Sequence, residues 1–492
     1  MSRTIVCRCE DVTAQDVEKA LALGHRHLEE VKRYTGFGTG PCEGKECQSI
    51  VARMIQRLGG RKDGAQPFTA RPPIAPVTLR ALARHGDVGA LPYVPLAAPE
   101  PALAGEPPKG PLPERADVAI VGAGIQGLAL AYELARRGCK DVVVLDKAYV
   151  NYGASGRNGG GVRLQWSTEL NIRLMQESLE ICQGFATSMG VNVWLRRGGY
   201  VFLARSEVER ARLEKSAELG QRCGVPTRLL SPADVREVVP ELDVGGVVAA
   251  SYNPRDAVIF PWPFLWGYAR GAERHGARVH TFTPVTALRL APGGFHVETP
   301  RGTIVAERVV AAAGAWSPTI ARMAGATLPT WPHRHEICST EPLKPWLRPL
   351  VAEIGSGLYF SQSMRGEIVG GLTVPDDDRR INLASRLIFL REMARALLRV
   401  VPRLSEVKVL RQWAGPYDMT PDGHPIVGEA PDCPGLWLCS GFVGHGFMMA
   451  PAVACHVADA MTGRPRHALF HAWRPDRFDR SGARPREDMD LG

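Results

Sequence analysis

Asp117-Val-Ala-Ile-Val-Gly-Ala-Gly-Ile-Gln-Gly127 is the stretch on which the fold turns. Val118 to Val121 read as a short buried strand. Gly122, Gly124 and Gly127 follow at the spacing G-x-G-x-x-G, and an amphipathic helix is expected from there to Arg137. A second strand is expected over 142–145, ended by Asp146. Each position has a physical reason. Gly122 permits the tight turn, Gly124 lets the backbone approach a pyrophosphate, and Gly127 lets helix and strand pack closely. The helix start, with Ile125 and Gln126, offers N–H groups and a partial positive charge to phosphates. Asp146 stands nineteen residues after Gly127, where an acid accepts hydrogen bonds from a ribose. Strand, turn, helix, second strand and acid together call for a bound dinucleotide.

Around this motif, strand-like apolar runs alternate with helical patterns over residues 116–470, which predicts an α/β fold. Hydrophobic residues make up 45% and charged residues 23%, the balance of a soluble enzyme with a sizeable core. The net charge is +9, but fifty of the sixty basic residues are scattered arginines. No block of like charge suggests a nucleic-acid or membrane tail. No uninterrupted apolar run reaches the ~18 residues of a spanning helix. The start, MSRTIVCRCEDVT, lacks the apolar core of a secretory signal. A cytoplasmic location is expected, with the cysteines reduced, metal-bound or buried.

Residues 1–60 read as a compact, mainly helical unit. Thr13 and Asp16 suit an N-terminal cap, and further helices are expected over 28–34 and 50–58. Within it stand Cys7-Arg-Cys9, then thirty-two residues, then Cys42-Glu-Gly-Lys-Glu-Cys47. Four thiolates in two pairs suit a [2Fe–2S] cluster. They also suit tetrahedral zinc, and the same cysteines can stand empty. Glycines 36, 38, 40 and 44 fit a loop wrapped around inorganic sulfide. Residues 61–115 are dense in proline and read as a semi-rigid connector without regular structure. Residues 471–492 are rich in charge and read as a frayed or surface tail.

Four segments carry a family resemblance. They are Gly153-Ala-Ser-Gly-Arg-Asn-Gly-Gly-Gly-Val-Arg163, Val309-Val-Ala-Ala-Ala-Gly314, Thr420-Pro-Asp-Gly-His-Pro-Ile-Val-Gly428 and Ser440-Gly-Phe-Val-Gly-His-Gly-Phe447. In order and spacing, residues 116–465 resemble the D-amino-acid-oxidase-like flavoproteins, which include sarcosine oxidase β subunits and glycine oxidase. The resemblance implies FAD, in a Rossmann-type domain with an inserted mixed β-sheet substrate domain. The FAD part is expected at about 116–194, 266–330 and 411–465, and the substrate part at about 195–265 and 331–410. Besides the glycine motif and Asp146, it implies FAD contacts from Lys147, Ser155, Arg157, Asn158, Gly160, Val285, Gly314, Gly441, Gly444, His445, Gly446, Phe447 and Met448. His445 is expected to contact the cofactor rather than act as a base. Relatives that bind flavin covalently use a histidine or cysteine, and Asn253-Pro-Arg-Asp256 and Ala414-Gly-Pro-Tyr417 offer neither, so the FAD is expected to be non-covalent. Cys7-Arg-Cys9-Glu-Asp-Val-Thr13 and Thr35-Gly-Phe-Gly-Thr-Gly-Pro-Cys42 resemble the bacterioferritin-associated-ferredoxin-like [2Fe–2S] domain.

Such flavoproteins oxidise an amine next to a carboxylate, which needs a cationic fork for the carboxylate. The resemblance places Arg163 there and gives Tyr359 a substrate-facing position. Two departures stand out: Met448 and Ile368 occupy positions where relatives carry lysine. The implied activity is an amino-acid dehydrogenase of the sarcosine, glycine, D-proline, hydroxyproline or opine class. Electrons are expected to leave through the cluster to an acceptor protein or quinone, with oxygen a poor acceptor. The chain works either alone or with a second flavin subunit. Two other readings stay open: an oxygen-using oxidase with a vestigial cluster domain, and an electron-transfer subunit of a larger complex.

Overall fold

The glycine motif folds as its pattern predicts. Arg115–Val121 and Val142–Leu145 are strands, and Ile125–Arg136 is the helix between them. Val118, Ile120, Leu128, Leu134 and Val144 are fully buried there. Each contributes about 1.5–3 kcal/mol of hydrophobic stabilisation. The computed structural model describes residues 4–59, 71–86, 110–375, 379–479 and 486–489.

Parallel pairing joins Arg278–His280, Val142–Leu145, Arg115–Val121, Gly302–Ala311 and Leu436–Ser440 in that order. One edge of Gly302–Ala311 is divided. Its first half takes the antiparallel strand Gly294–Thr299, and its second half takes Leu436–Ser440. One large apolar cluster unites Ile125–Arg136, Glu169–Met189, Pro261–Arg274 and Gly446–Met461 against this sheet.

A nine-stranded, largely antiparallel sheet forms the second layer. Its long central strands are Trp331–Pro342 and Lys408–Met419. Leu387–Val400 covers its back through the buried Phe389, Met393 and Leu397. Two expected boundaries therefore move. Lys408–Met419 belongs to this substrate-side sheet, whereas 411–419 was assigned to the FAD part. Pro261–Arg274 packs with the flavin-side helices from its first turn, ahead of residue 266.

The N-terminal unit is a short hairpin, Ile5–Cys7 with Val12–Thr13, and three helices at Ala14–Ala22, Leu28–Thr35 and Cys47–Gly59. The Thr13–Asp16 capping box forms, with Thr13 Oγ1 accepting from Asp16 N at 3.2 Å and Asp16 Oδ2 accepting from Thr13 N at 2.9 Å. The unit docks on the flavin layer. Arg33 lies over the rings of both Tyr149 and Trp262, 4.6 Å from each. Arg365, in the turn before Glu367–Leu372 of the nine-stranded sheet, pairs with Glu10, so the unit touches that layer too.

Proline density misleads over 77–84. Val77–Thr78 is an edge strand on Lys408–Met419, and Leu79–Arg84 is a helix with Leu79 and Leu82 buried. Residues 77–84 contain no proline and hold enough apolar surface to dock. Residues 61–70 and 87–109 of the expected connector, and 480–485 and 490–492 of the expected tail, lie outside the described residues; over the described part of the tail the expectation fails as well. Trp473, Arg477, Glu487 and Met489 are each 1% exposed. Arg477 is buried without an unpaired charge, because Asp422 accepts from its Nε and Nη2 at 2.8 and 2.9 Å.

Candidate active site

The turn after Arg115–Val121 opens into a cavity of ≈ 280 Å³. Its geometry suits a phosphate-bearing cofactor. The helix begins at Gly124 with no side-chain cap, and Ile125 N donates to Ser155 Oγ at 3.0 Å. A Cβ at Gly122 (φ 117°) would stand 2.5 Å from Ala312 O, and one at Gly127 would stand 2.0 Å from Gly122 O. Both positions therefore require glycine. The Asp146 carboxylate accepts from Ala123 N at 2.7 Å and Ala148 N at 2.8 Å, which holds the glycine turn against the second strand.

Gly122, Gly124, Ile125, Gln126, Asp146 and Lys147 line this cavity, as do Ser155, Arg157, Asn158, Val285, Gly314, Gly444, Gly446 and Phe447. Lys147 sits 4.0 Å over the Trp316 ring. Arg157 ties the loop to the long strand, with Nη1 donating to Ala414 O at 3.0 Å. Five of the expected residues do not line this cavity. Gly127 is packed between helix and strand. Gly441 (φ 73°) serves a turn, where a Cβ would meet Thr420 Cγ2 at 2.4 Å. Gly160, His445 and Met448 border a smaller chamber.

That chamber, ≈ 80 Å³, shares Asn158, Tyr417, Val443, Gly444 and Phe447 with the larger cavity. Arg163 and Tyr359 both line it, so the two expected substrate residues come together. Arg163 follows the short strand Gly161–Val162 and is 1% exposed. Its guanidinium lies 3.9 Å over the Trp166 ring. Nη1 donates to Gln165 O, and Nη2 donates to Met489 O at 2.7 Å. Nη2 also stands 3.2 Å from His445 Nε2. A guanidinium has only donors, so that nitrogen presents its lone pair and His445 is neutral. Burial and then Arg163 hold the His445 pKa well below the usual imidazole range. A lone pair engaged by Arg163 does not serve as a base.

Asp256 fixes the segment behind Arg163. It accepts from Leu164 N at 2.7 Å, Gln165 Nε2 at 2.9 Å and Asn253 Nδ2 at 2.7 Å. Burial pushes its pKa up to about 7, against these donors and Arg163. On the other wall, Tyr359 Oη stands 3.1 Å from His335 Nε2. The His335 ring is parallel to Tyr359 and to Tyr417, at 5.6 and 4.5 Å between centroids. Burial lowers the His335 pKa to about 3 and raises that of Tyr359 far above the phenol range. The chamber's lining thus includes the neutral His445 imidazole, the protonated Tyr359 phenol and the Arg163 cation. A Cβ at Gly371 would lie 2.7 Å from Tyr359 Oη and 2.8 Å from His335 Nε2. The strand Glu367–Leu372 turns Ile368 into the core beneath Leu387–Val400, so Ile368 does not face the flavin, and the alternation puts Gly371 on that side. His335, Tyr417, Gln165 and Asp256 escape sequence reading. They come from four separate segments, and none carries a motif.

In the N-terminal unit the thiols meet crosswise, Cys9 beside Cys42 and Cys47 beside Cys7. A Cβ at Gly40 would lie 2.3 Å from Cys9 Cβ, so the loop closes on the cysteines. Tetrahedral zinc would bring all four sulfurs to about 3.8 Å from one another. Among the described residues, no three of these sulfurs share a 4.8 Å neighbourhood.

A family model described as FAD dependent oxidoreductase matches residues 117–460. A second, described as sarcosine oxidase A3 domain, matches residues 1–85 and thus reaches past residue 60 through the Leu79–Arg84 helix. The sarcosine oxidase subunit beta of Rhizobium meliloti (strain 1021) is 32% identical over 372 residues, covering 74% of this chain and 88% of the relative. The glycine oxidase of Geobacillus kaustophilus (strain HTA426) is 28% identical over 353 residues, covering 70% and 92%. Among solved structures, L-proline dehydrogenase from P. horikoshii superposes with a TM-score of 0.72 at 33% identity, covering 76% of this chain and 100% of that one. The chain belongs to the family of FAD dependent oxidoreductases. Among the described residues, no helix is long and apolar enough to cross a membrane.

Proposed function

We propose that this chain, an FAD-dependent oxidoreductase acting on CH–NH donors, oxidises the C–N bond of a small amino or N-substituted amino acid. One observation carries the reading: a buried guanidinium, Arg163, in a ≈ 80 Å³ chamber that opens onto the flavin cavity. A fork of this kind recognises a planar carboxylate. The small volume favours the sarcosine, glycine, proline or opine class over bulky side chains. FAD, when bound, supplies a two-electron acceptor for the hydride. The chain's own residues do the rest. Arg163 fixes the carboxylate, and the Tyr359 hydroxyl donates or accepts beside it. Phe447 and Met448 exclude water, and His445 keeps the guanidinium aimed. The non-covalent reading of FAD is supported by Asn253 to Asp256 and Ala414 to Tyr417, which lack a histidine or cysteine.

The proposal extends to the electron outlet. Cys7, Cys9, Cys42 and Cys47 would hold a [2Fe–2S] cluster, which supplies one-electron transfer when bound. Their crosswise pairing supports this. Among the described residues lining the flavin cavity, Lys147 is the one lysine, and it is held over Trp316. That supports a dehydrogenase passing electrons to a carrier protein or quinone in the cytoplasm. The relative named as a subunit supports a partner chain.

An anaerobic panel of small amino acids tests the first part. Sarcosine, glycine or a proline should bleach the flavin, and bleaching by none would overturn the reading. Iron and acid-labile sulfide should each approach two per chain, and zinc in their place would sink the cluster. Slow reoxidation in air with little peroxide is expected, and stoichiometric peroxide would make the chain an oxidase.

A further inference from the structure

Residues 486–489 reach the chamber's Arg163 from the other end of the chain. The Glu487 carboxylate accepts from Ser167 N at 2.9 Å, Ser167 Oγ at 2.7 Å and Asn171 Nδ2 at 2.7 Å. Asp488 N donates to Ser167 Oγ at 2.8 Å. These bonds seat the Met489 side chain, 1% exposed, among Tyr200, Phe202 and Leu350. Tyr200 and Leu350 also border the chamber. The Met489 carbonyl then takes the Arg163 Nη2 donor at 2.7 Å.

We propose that residues 486–489 are an internal competitor for the substrate carboxylate. The inference rests on the reading of Arg163 as the carboxylate fork, and it adds regulation to that site. Burying a guanidinium is costly, and the Met489 carbonyl offsets part of that cost by accepting from Nη2, as Gln165 O does from Nη1. A carbonyl is neutral and takes one N–H here. A carboxylate is charged and takes two, so substrate displaces the carbonyl. Displacement also loosens the bonds of Glu487 to Ser167 and Asn171. Part of the binding energy is therefore consumed in moving the segment, and affinity for every small carboxylate is lowered alike.

Three proteins test this: the full chain, the chain ended after residue 479, and Glu487→Ala. Two probes are used. Acetate, a carboxylate without an amine, is titrated against the flavin absorbance. The amino acid found in the panel is followed by anaerobic flavin reduction. Both altered proteins should bind both probes about tenfold more tightly, the scale of one charge-assisted hydrogen bond, with the limiting reduction rate within about twofold. Unchanged or weaker binding in Glu487→Ala overturns the proposal, even if the amino acid still reduces the flavin. Tighter acetate binding without reduction by any amine supports the segment's role while refuting the proposed oxidation. If the shortened chain loses flavin, Glu487→Ala decides alone.

Discussion

The flavin cavity and the Arg163 chamber share five residues but are built in opposite ways. The cavity is made largely of main chain. Gly122 and Gly127 let the turn and the helix close against main chain, and the uncapped helix start at Gly124 turns N–H groups to the cavity. The chamber is made of side chains. Arg163, Tyr359 and His445 line it from segments far apart in sequence, with Arg163 paired to His445, Tyr359 to His335, and Asp256 holding the backbone behind Arg163. A site made of backbone forces glycines into a fixed local spacing. A site made of side chains leaves each residue a choice of partners, so its pattern exists only in the folded chain.

The contrast can be broken most sharply at Gly122. In Gly122→Ala the new methyl meets main chain at 2.5 Å, at a φ of 117°. A loss above about 3 kcal/mol and a colourless protein are expected, measured by flavin content and thermal denaturation. A yellow, stable Gly122→Ala protein would mean that the backbone gives way more readily than its geometry implies.

Arg163→Lys probes the chamber. Lysine keeps the charge but loses the fork, so substrate binding should weaken about 100-fold while FAD stays bound. Steady-state KM and flavin absorbance measure the two separately. Loss of FAD as well would show that the chamber and cavity are one energetic unit.

Acid addresses the neutral imidazoles. His335 is held neutral with a pKa of about 3, whereas an unfolded histidine titrates near 6.5. Between these values the unfolded chain binds the extra proton, so stability is lost as pH falls from about 6.5 towards 3. By pH 5 this single residue accounts for about 2 kcal/mol. His335→Asn should flatten that part of the melting-temperature profile between pH 7 and 5. An unaltered slope would place the acid sensitivity elsewhere. The smallest effect belongs to the N-terminal unit, where Thr13→Ala removes one half of a capping box. It should cost about 1 kcal/mol in denaturant titrations and leave flavin reduction unchanged.

Legibility follows the same division. Strand, turn, helix and acid from Asp117 to Asp146 were readable because each residue's reason is local. The Thr13 cap was readable for the same cause. Arg163 and Tyr359 were placed by family resemblance, and the structure brings both into one chamber. His445 was expected at the flavin; its ring borders the chamber, with Nε2 3.2 Å from Arg163 Nη2, a pairing that no local spacing encodes. Ile368 was misplaced because a one-residue change of register reverses the face of a strand. Residues 77–84 and 486–489 were misjudged because proline and charge are averages over a window. Docking depends on a few residues such as Leu79, Leu82 and Met489.

The pairing of Val77 with Val409 has a consequence for how the chain assembles. The early strand is made long before the edge that receives it. During synthesis Val77–Thr78 and the apolar face of Leu79–Arg84 wait unpartnered until Lys408–Met419 emerges. Closing a loop of that length is slow, and exposed strand edges invite pairing with other chains. Once made, the pairing holds Lys408 and Val409, so the start of the last strand laid into that sheet is met by chain made near the beginning.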